Sequence, residues 1–290
     1  MNERNFFVKM HGLGNEYMVV DDSNLNFPMG EKAIRRVCNV NYGVGTDGVL
    51  VKTRTQNADF GLRIFNPDGS EAEKSGNGLR IFAKFLYDYR FTNNRRFTIE
   101  TAGGVAGVEI VGIEDGRARY ISVNMGKAIF TSKDIPTAAE TEETMGVDLD
   151  CFGKLYQVNC VSVGNPHCVI LKNELDINEI KQYGSILENH RFFPKRINVQ
   201  FAQVINRQEV EILIWERGAG FTLASGSSAC ATASVLKKLG LVDGHVKVHM
   251  MGGDLSIEVA DDWTVSMVGE VRQIADGHLS DEFVEDLIRP

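Results

Sequence analysis

The sequence has no long apolar run, no basic excess and no paired cysteine motif, and each absence argues against a class of protein. No stretch reaches membrane-spanning length. The N-terminus, Met1-Asn2-Glu3-Arg4-Asn5, leads straight into a strand-like run with no signal-peptide pattern, so we expect a cytoplasmic protein with no membrane partner. The net charge is −8 and the pI near 5.4, whereas a nucleic-acid binder usually shows a basic face. Basic runs stop at Arg35-Arg36, Arg95-Arg96 and Lys237-Lys238, which read as solvated faces and loops. The five cysteines, Cys38, Cys151, Cys160, Cys168 and Cys230, are odd in number and scattered, without a Cys-x-x-Cys pair. That argues against zinc sites and disulfide frameworks and leaves buried thiols. There is no Rossmann or P-loop pattern and no lysine motif that compels a Schiff base, so no cofactor and no metal is expected.

What is present fits an ordinary soluble globular chain of 290 residues, 43% hydrophobic and 24% charged, large enough for one or two cores. Phe6 to Asp21 reads as strand, glycine turn, strand, and Glu31 to Asn39 has helical spacing at Ile34, Val37 and Cys38. Strands are expected at 48–51, 60–65, 97–101, 105–111 and 118–124, with a strong helix over Leu79 to Tyr89. The second half repeats the plan. Strands are expected at 156–163, 168–171, 197–205, 209–215, 246–248, 255–259 and 263–267, with helices over Ile177 to Leu187 and Ser228 to Leu239. Many strands and few helices predict an α+β protein of two lobes, each a sheet wrapped around its own helix. Residues 1–124 with 271–290 are expected to form the N-terminal lobe and 125–270 the C-terminal lobe. The polar Met125 to Asp150 region is read as the crossover.

Two segments look like copies of one idea. Asn66-Pro67-Asp68-Gly69-Ser70-Glu71-Ala72-Glu73-Lys74-Ser75-Gly76-Asn77-Gly78 runs into one apolar helical stretch, and Trp215-Glu216-Arg217-Gly218-Ala219-Gly220 through Ser225-Gly226-Ser227-Ser228 runs into another. Each places a serine and small residues at a helix start, where unpaired N–H groups and the positive end of the dipole favour an anion. Two such starts predict one small anionic group held between matched half-sites. A side chain on either side of it could remove a proton from one face of a carbon and return it to the other.

Six segments together resemble the diaminopimelate epimerase family over nearly the whole length. They are Lys9-Met10-His11-Gly12-Leu13-Gly14-Asn15, the 66–78 segment, Gly164-Asn165-Pro166-His167, Arg196-Ile197-Asn198-Val199, the 215–220 segment and Gly252-Gly253-Asp254. Taken singly, Gly-Asn-Gly and Asn-Pro-His are ordinary turns, and Glu216-Arg217 is a surface ion pair of small value. The resemblance implies two pseudo-symmetric lobes with the site in the cleft. It implies an isomerase working without pyridoxal phosphate, interconverting LL- and meso-diaminopimelate for lysine and peptidoglycan precursor biosynthesis. It implies two catalytic cysteines, one per lobe, a thiolate base and a thiol acid. It makes a homodimer plausible.

Here the sequence departs from the family at both catalytic positions, which carry Ser75 and Ser225. A thiol titrates near 8.5 in water and lower at a helix N-terminus, but a serine hydroxyl needs an adjacent base. Severe loss of activity with an intact binding site is therefore expected. The double replacement is either engineered, to trap a complex or prevent a cleft disulfide, or a natural divergence; intact motifs elsewhere favour the first. By resemblance, Gly76, Asn77, Gly226 and Ser227 bind the reacting carboxylate and Glu216 the ammonium. Arg217 binds the distal carboxylate as a planar fork, while Asn15, Asn66, Asn165 and Asn198 grip the distal end. His167 lies near the reacting centre and assists proton handling, with Glu216 as a further catalytic group. Many relatives carry glutamine where this chain has Gly48, which weakens one contact. Competing expectations are a racemase of another amino acid, a phenazine-biosynthesis-like isomerase with Glu73 or Glu216 as base, a diaminopimelate-binding protein, and, least of all, a serine hydrolase.

Overall fold

The computed structural model describes residues 4–289. They divide into two compact units. One is built from the chain up to Val123 together with the stretch from Gly269 onward, and the other is Asn124–Val268.

In the first unit, β1 (Phe6–Gly12) and β2 (Asn15–Asp21) form an antiparallel hairpin. Its two turn residues, Leu13 and Gly14, have φ of 55° and 84°. A two-residue hairpin turn favours positive φ at its centre because that twist matches the strands. Gly14 adopts it freely, while Leu13 carries a steric cost of about 1 kcal/mol. The chain continues through α1 (Glu31–Cys38), β3 (Val49–Thr53), β4 (Phe60–Phe65), the short β5 (Glu71–Ala72) and α2 (Gly76–Asp88). It then runs through β6 (Arg96–Thr101), β7 (Gly104–Glu114) and β8 (Arg117–Lys127). β3 lies parallel to β2 and β6 parallel to β4; every other neighbouring pair is antiparallel. Each parallel step spans a helix, as a crossover must.

The second unit opens with β9 (Val147–Cys151) and then repeats that plan element by element. β10 (Lys154–Ser162), β11 (Pro166–Leu171), α3 (Ile177–Glu188), β12 (Asn198–Asn206) and β13 (Glu209–Glu216) lead to β14 (Gly220–Thr222) and α4 (Gly226–Lys238). β15 (His245–Met250), β16 (Gly253–Val259) and β17 (Thr264–Glu270) complete it. β12 is parallel to β11 and β15 to β13, with antiparallel pairs elsewhere. The chain ends with β18 (Arg272–His278) and α5 (Asp281–Ile288). β18 pairs with β1, and β9 pairs with β10. The ninth strand of each half therefore joins the sheet begun by the other half.

Each unit is a mixed sheet wrapped around a buried helix. Every residue of α2 from Asn77 to Leu86 is buried, against β1, β2 and β7. α4 is narrower, with Ala229, Cys230, Ala231, Thr232, Ala233 and Ser234 fully enclosed. A helix buried on all sides belongs to a core. On the opposite faces, α1 and α5 close one apolar layer around Ile34, Val49 and Leu287, while α3 closes another around Ile180, Val199 and Phe201. The Met125 to Asp150 region supplies β9, an isolated bridge from Ile129 to Ser162, and the buried Ser132 and Thr144, whose hydroxyls bond at 2.8 Å.

The C-terminal end of α2 is fastened by a buried ion pair. Lys84 Nζ donates to Asp88 Oδ2 at 2.7 Å and to the Ala118 carbonyl at 2.6 Å, while Asp88 Oδ1 accepts from the Ala118 amide at 2.8 Å. Removing one partner of such a pair leaves an uncompensated charge. Asp88→Ala is expected to cost about 3–5 kcal/mol, read as a lower urea midpoint with an unchanged slope.

Candidate active site

Ser75 caps α2 from extended backbone, with φ −137° and ψ 121°, and its Oγ accepts from the Gly78 amide at 3.0 Å. Gly78 must stay small: an added Cβ would lie 3.1 Å from Leu50 Cδ2 and 3.2 Å from Ser75 Cβ. The amides of Gly76 and Asn77 belong to the first turn, which has no acceptor within the helix. Around this cap runs a polar chain. Arg80, fully buried, donates to Asn77 Oδ1 at 2.7 Å; Asn77 Nδ2 donates to Asn15 Oδ1 at 3.1 Å; Asn15 Nδ2 donates to Asp47 Oδ2 at 3.1 Å. Asn66 lies apart from this chain and is exposed, its Nδ2 donating to Ser70 Oγ within its own turn at 3.0 Å. Asn15 and Asn77 are thus brought together by α2, and the exposed Asn66 keeps to its turn. Glu73 is exposed in the short link between β5 and Ser75.

Ser225 caps α4 in the same conformation, with φ −148° and ψ 122°. Its Oγ accepts from the Ser228 amide at 3.5 Å and lies 3.4 Å from Ser227 Oγ. Glu216 is half-buried at the end of β13. Burial raises its carboxyl above the usual range, partly offset by a hydrogen bond with the Ser225 side chain. A carboxylate therefore sits beside the second cap. His167 is fully enclosed on β11, and burial pushes its pKa down to about 3, so the imidazole is neutral at physiological pH. Its Nε2 lies 2.9 Å from Asn165 Oδ1, its Nδ1 has no hydrogen-bond partner among the described residues, and Asn165 Nδ2 reaches Ser227 Oγ at 3.5 Å. Asn198 donates to the Pro166 carbonyl at 2.8 Å and accepts from the Arg217 amide at 3.0 Å. Asn165, His167, Asn198, Glu216, Arg217, Ser225 and Ser227 are thus linked within one unit.

Sequence reasoning missed what holds the Glu216-Arg217 turn. Glu188, the last residue of α3, is buried, and its Oε1 accepts from the Gly218 amide at 2.8 Å and from the Arg196 guanidinium. Its Oε2 accepts from the Trp215 indole N–H at 2.8 Å. The donors flank Glu216 and Arg217 on both sides. Arg196 itself sits at φ 59°, a left-handed position disfavoured for a residue with a side chain. α3 is held close there, since a Cβ on Gly184 would come within 2.4 Å of the Trp215 ring. Burial would raise the Glu188 carboxyl, but the Trp215, Gly218 and Arg196 donors outweigh it and hold it below the usual range. A lone glutamate at a helix end carries no local signal of this role. Gln200 was missed for the same reason: it is fully buried and its Nε2 donates to Ser228 Oγ at 3.0 Å.

A carboxyl held low in the folded protein stabilises it above its unfolded pKa, and that contribution fades as pH falls through the folded value. Glu188→Gln sets an NH2 against an N–H donor. It is expected to destabilise by about 1–3 kcal/mol near pH 7, with the deficit shrinking as the pH is lowered below 4–5, the ordinary carboxylate range. Thermal melts of both proteins across pH check this.

Comparison with known proteins bears on the same residues. The diaminopimelate epimerase family profile matches residues 7–131 and 159–274. Diaminopimelate epimerase 2 of Nostoc sp. is 44% identical over 277 residues, covering 95% of this chain and 96% of that protein. Diaminopimelate epimerase of Methanothermobacter thermautotrophicus is 40% identical over 280 residues, covering 94% and 98%. Among solved structures, a probable proline racemase from Agrobacterium radiobacter superposes with a TM-score of 0.72 at 13% identity over 95% of this chain and 93% of that one. A phenazine biosynthesis protein of the PhzF family from Bacillus anthracis superposes at 0.64 and 15%, over 95% and 98%. The last two show a shared fold and no more. The profile and the sequence relatives together show that the chain belongs to the diaminopimelate epimerase family.

Proposed function

We propose that this chain binds diaminopimelate and carries the two-base site that interconverts its LL and meso forms. The observation that carries the reading is the pair of matched helix caps, Ser75 and Ser225, with the same backbone conformation at equivalent places in the two halves. In this reading the amides of Gly76, Asn77, Gly226 and Ser227 take the reacting carboxylate. They stabilise the charge that develops there as the α-proton leaves. Glu216 holds the ammonium, and Arg217 with Asn15, Asn66, Asn165 and Asn198 takes the distal end. His167 acts as a neutral group that orients Asn165. By the family's two-base chemistry, positions 75 and 225 are the proton-exchanging groups. No cofactor takes part; the reaction is placed in the cytoplasm, and a homodimer is the assembly we expect.

Serine limits this chemistry because its hydroxyl is a far weaker acid than a thiol. Serine at both caps favours a second reading, a diaminopimelate-binding protein without turnover. One experiment separates the two. α-Proton exchange of LL- and meso-diaminopimelate in D2O is followed by NMR for this chain and for its Ser75→Cys/Ser225→Cys variant. Matched acid–base groups contribute about 10²–10⁴-fold each, so the cysteine variant is expected to be faster by at least that factor. If neither protein exchanges, the substrate assignment is wrong.

Glu216 gives a second check. Its carboxyl is raised in the folded protein, so the folded state holds its proton more tightly, and stability falls as pH rises through that value. Glu216→Gln removes the cost. We expect a higher Tm than the parent at pH 8, no difference at pH 3 where both states are protonated, and loss of diaminopimelate binding by calorimetry at pH 8.

A further inference from the structure

The first cap has a partner that the family resemblance did not supply. Tyr17 lies on β2, 8% exposed, and its hydroxyl is 3.4 Å from Ser75 Oγ. The place it fills is open because residue 48 is glycine. A Cβ there would fall 2.7 Å from Tyr17 Cε1 and 2.4 Å from the Phe65 carbonyl oxygen. So the tyrosine ring occupies the room that a side chain at position 48 would need. The backbone around it is fixed: the Met18 amide donates to the Gly48 carbonyl at 3.1 Å, and Thr46 Oγ1 donates to the Glu16 carbonyl at 3.0 Å and to the Gly48 carbonyl at 3.1 Å. Charged groups on the packed elements engage one another. Lys9 of β1 pairs with Glu16 of β2 at 3.1 Å, Asp47 accepts from Asn15 and the Glu16 amide, and Arg80 of α2 donates to Asn77.

We propose that Tyr17 is the proton-relay partner of residue 75, supplying the acid strength that the serine lacks. A phenol titrates near 10, far closer to working pH than an aliphatic alcohol. The inference rests on the proposed epimerase reading for its substrate. In the protonation step the carbanion's electron pair takes the Ser75 hydroxyl proton and becomes the new C–H bond. The Ser75 oxygen takes the Tyr17 proton as its own leaves, and the phenolate is reprotonated by water. In the opposite direction the phenolate draws a proton through Ser75. Any alkoxide character on Ser75 is met by the Gly78 amide at the helix N-terminus.

The test has two arms. The first is α-proton exchange in D2O from pD 7 to 10.5 for this chain and for Tyr17→Phe, which keeps the ring against Gly48. We expect slow exchange above the protein-free control that rises with pD, and a loss of about 100-fold together with that rise in Tyr17→Phe. Equal rates and profiles in the two proteins, or no exchange by this chain while it binds diaminopimelate, overturn the proposal. The second arm needs no substrate. In a Ser75→Cys variant the iodoacetamide alkylation rate against pH reports the thiol at that position. Adding Tyr17→Phe is expected to slow it about tenfold near neutral pH by removing one hydrogen bond to the thiolate. Coincident pH curves overturn the Tyr17–75 coupling. If diaminopimelate does not bind at all, it is the substrate reading that falls, and the alkylation arm alone decides on Tyr17.

Discussion

A helix enclosed on every side has to satisfy its first amides without bulk water, and this constraint organises both units. α2 and α4 are each wrapped by a sheet, so the N–H groups of their opening turns face either a cap side chain or whatever enters the site. One hydroxyl oxygen serves one amide, Gly78 in the first unit and Ser228 in the second. The remaining donors and the dipole together make a carboxylate a favoured guest. The same positive field would hold a thiol in its reactive anionic form. With serine there, the field is present but the group it would act on titrates too high to exploit it, which is why neighbouring acid–base groups matter in this chain.

Those neighbours differ between the two caps although the backbone does not. The first cap faces a phenol and a relay of amides ending on Asp47; the second faces a carboxyl raised by burial. Fold symmetry therefore coexists with chemical asymmetry. The second cap also has deeper support. Glu188 gathers three donors around the turn that carries Glu216 and Arg217, and a buried carboxylate satisfied that completely is a rigid anchor. His167 contributes as a neutral ring, since a group held protonated only near pH 3 carries no charge at working pH.

Much of this was legible in the residues. The apolar spacing of 79–89 and 228–239 marked both central helices, and the structure begins each of them two or three residues earlier, at Gly76 and Gly226. The added residues are glycine, serine and asparagine, which have little helical signal of their own and start the helix because a serine caps it. The spacing of Ile177 to Leu187 likewise marks a helix, which runs to Glu188. The short strands β5 and β14 escaped notice because two or three residues carry no periodicity. β18 and α5 were not singled out either; β18 is mostly exposed, so its apolar alternation is weak, and it is recognised only by its pairing with β1. At the site, motif positions were readable, but the supports Glu188, Gln200 and Tyr17 were not, since each is defined by a partner distant in sequence.

The exchange of ninth strands has a consequence for how the chain is made. β1 needs β18, which begins at Arg272, as its outer neighbour, while β10 finds β9 immediately before it. During synthesis the second unit can assemble its edge from contiguous chain as it emerges. The first unit, although translated first, leaves one side of β1 unpaired until almost the whole polypeptide has appeared. An unpaired edge is a template for wrong partners. Unit order in sequence and unit order in completion are therefore reversed, and the last strand acts as the clasp for the earliest one.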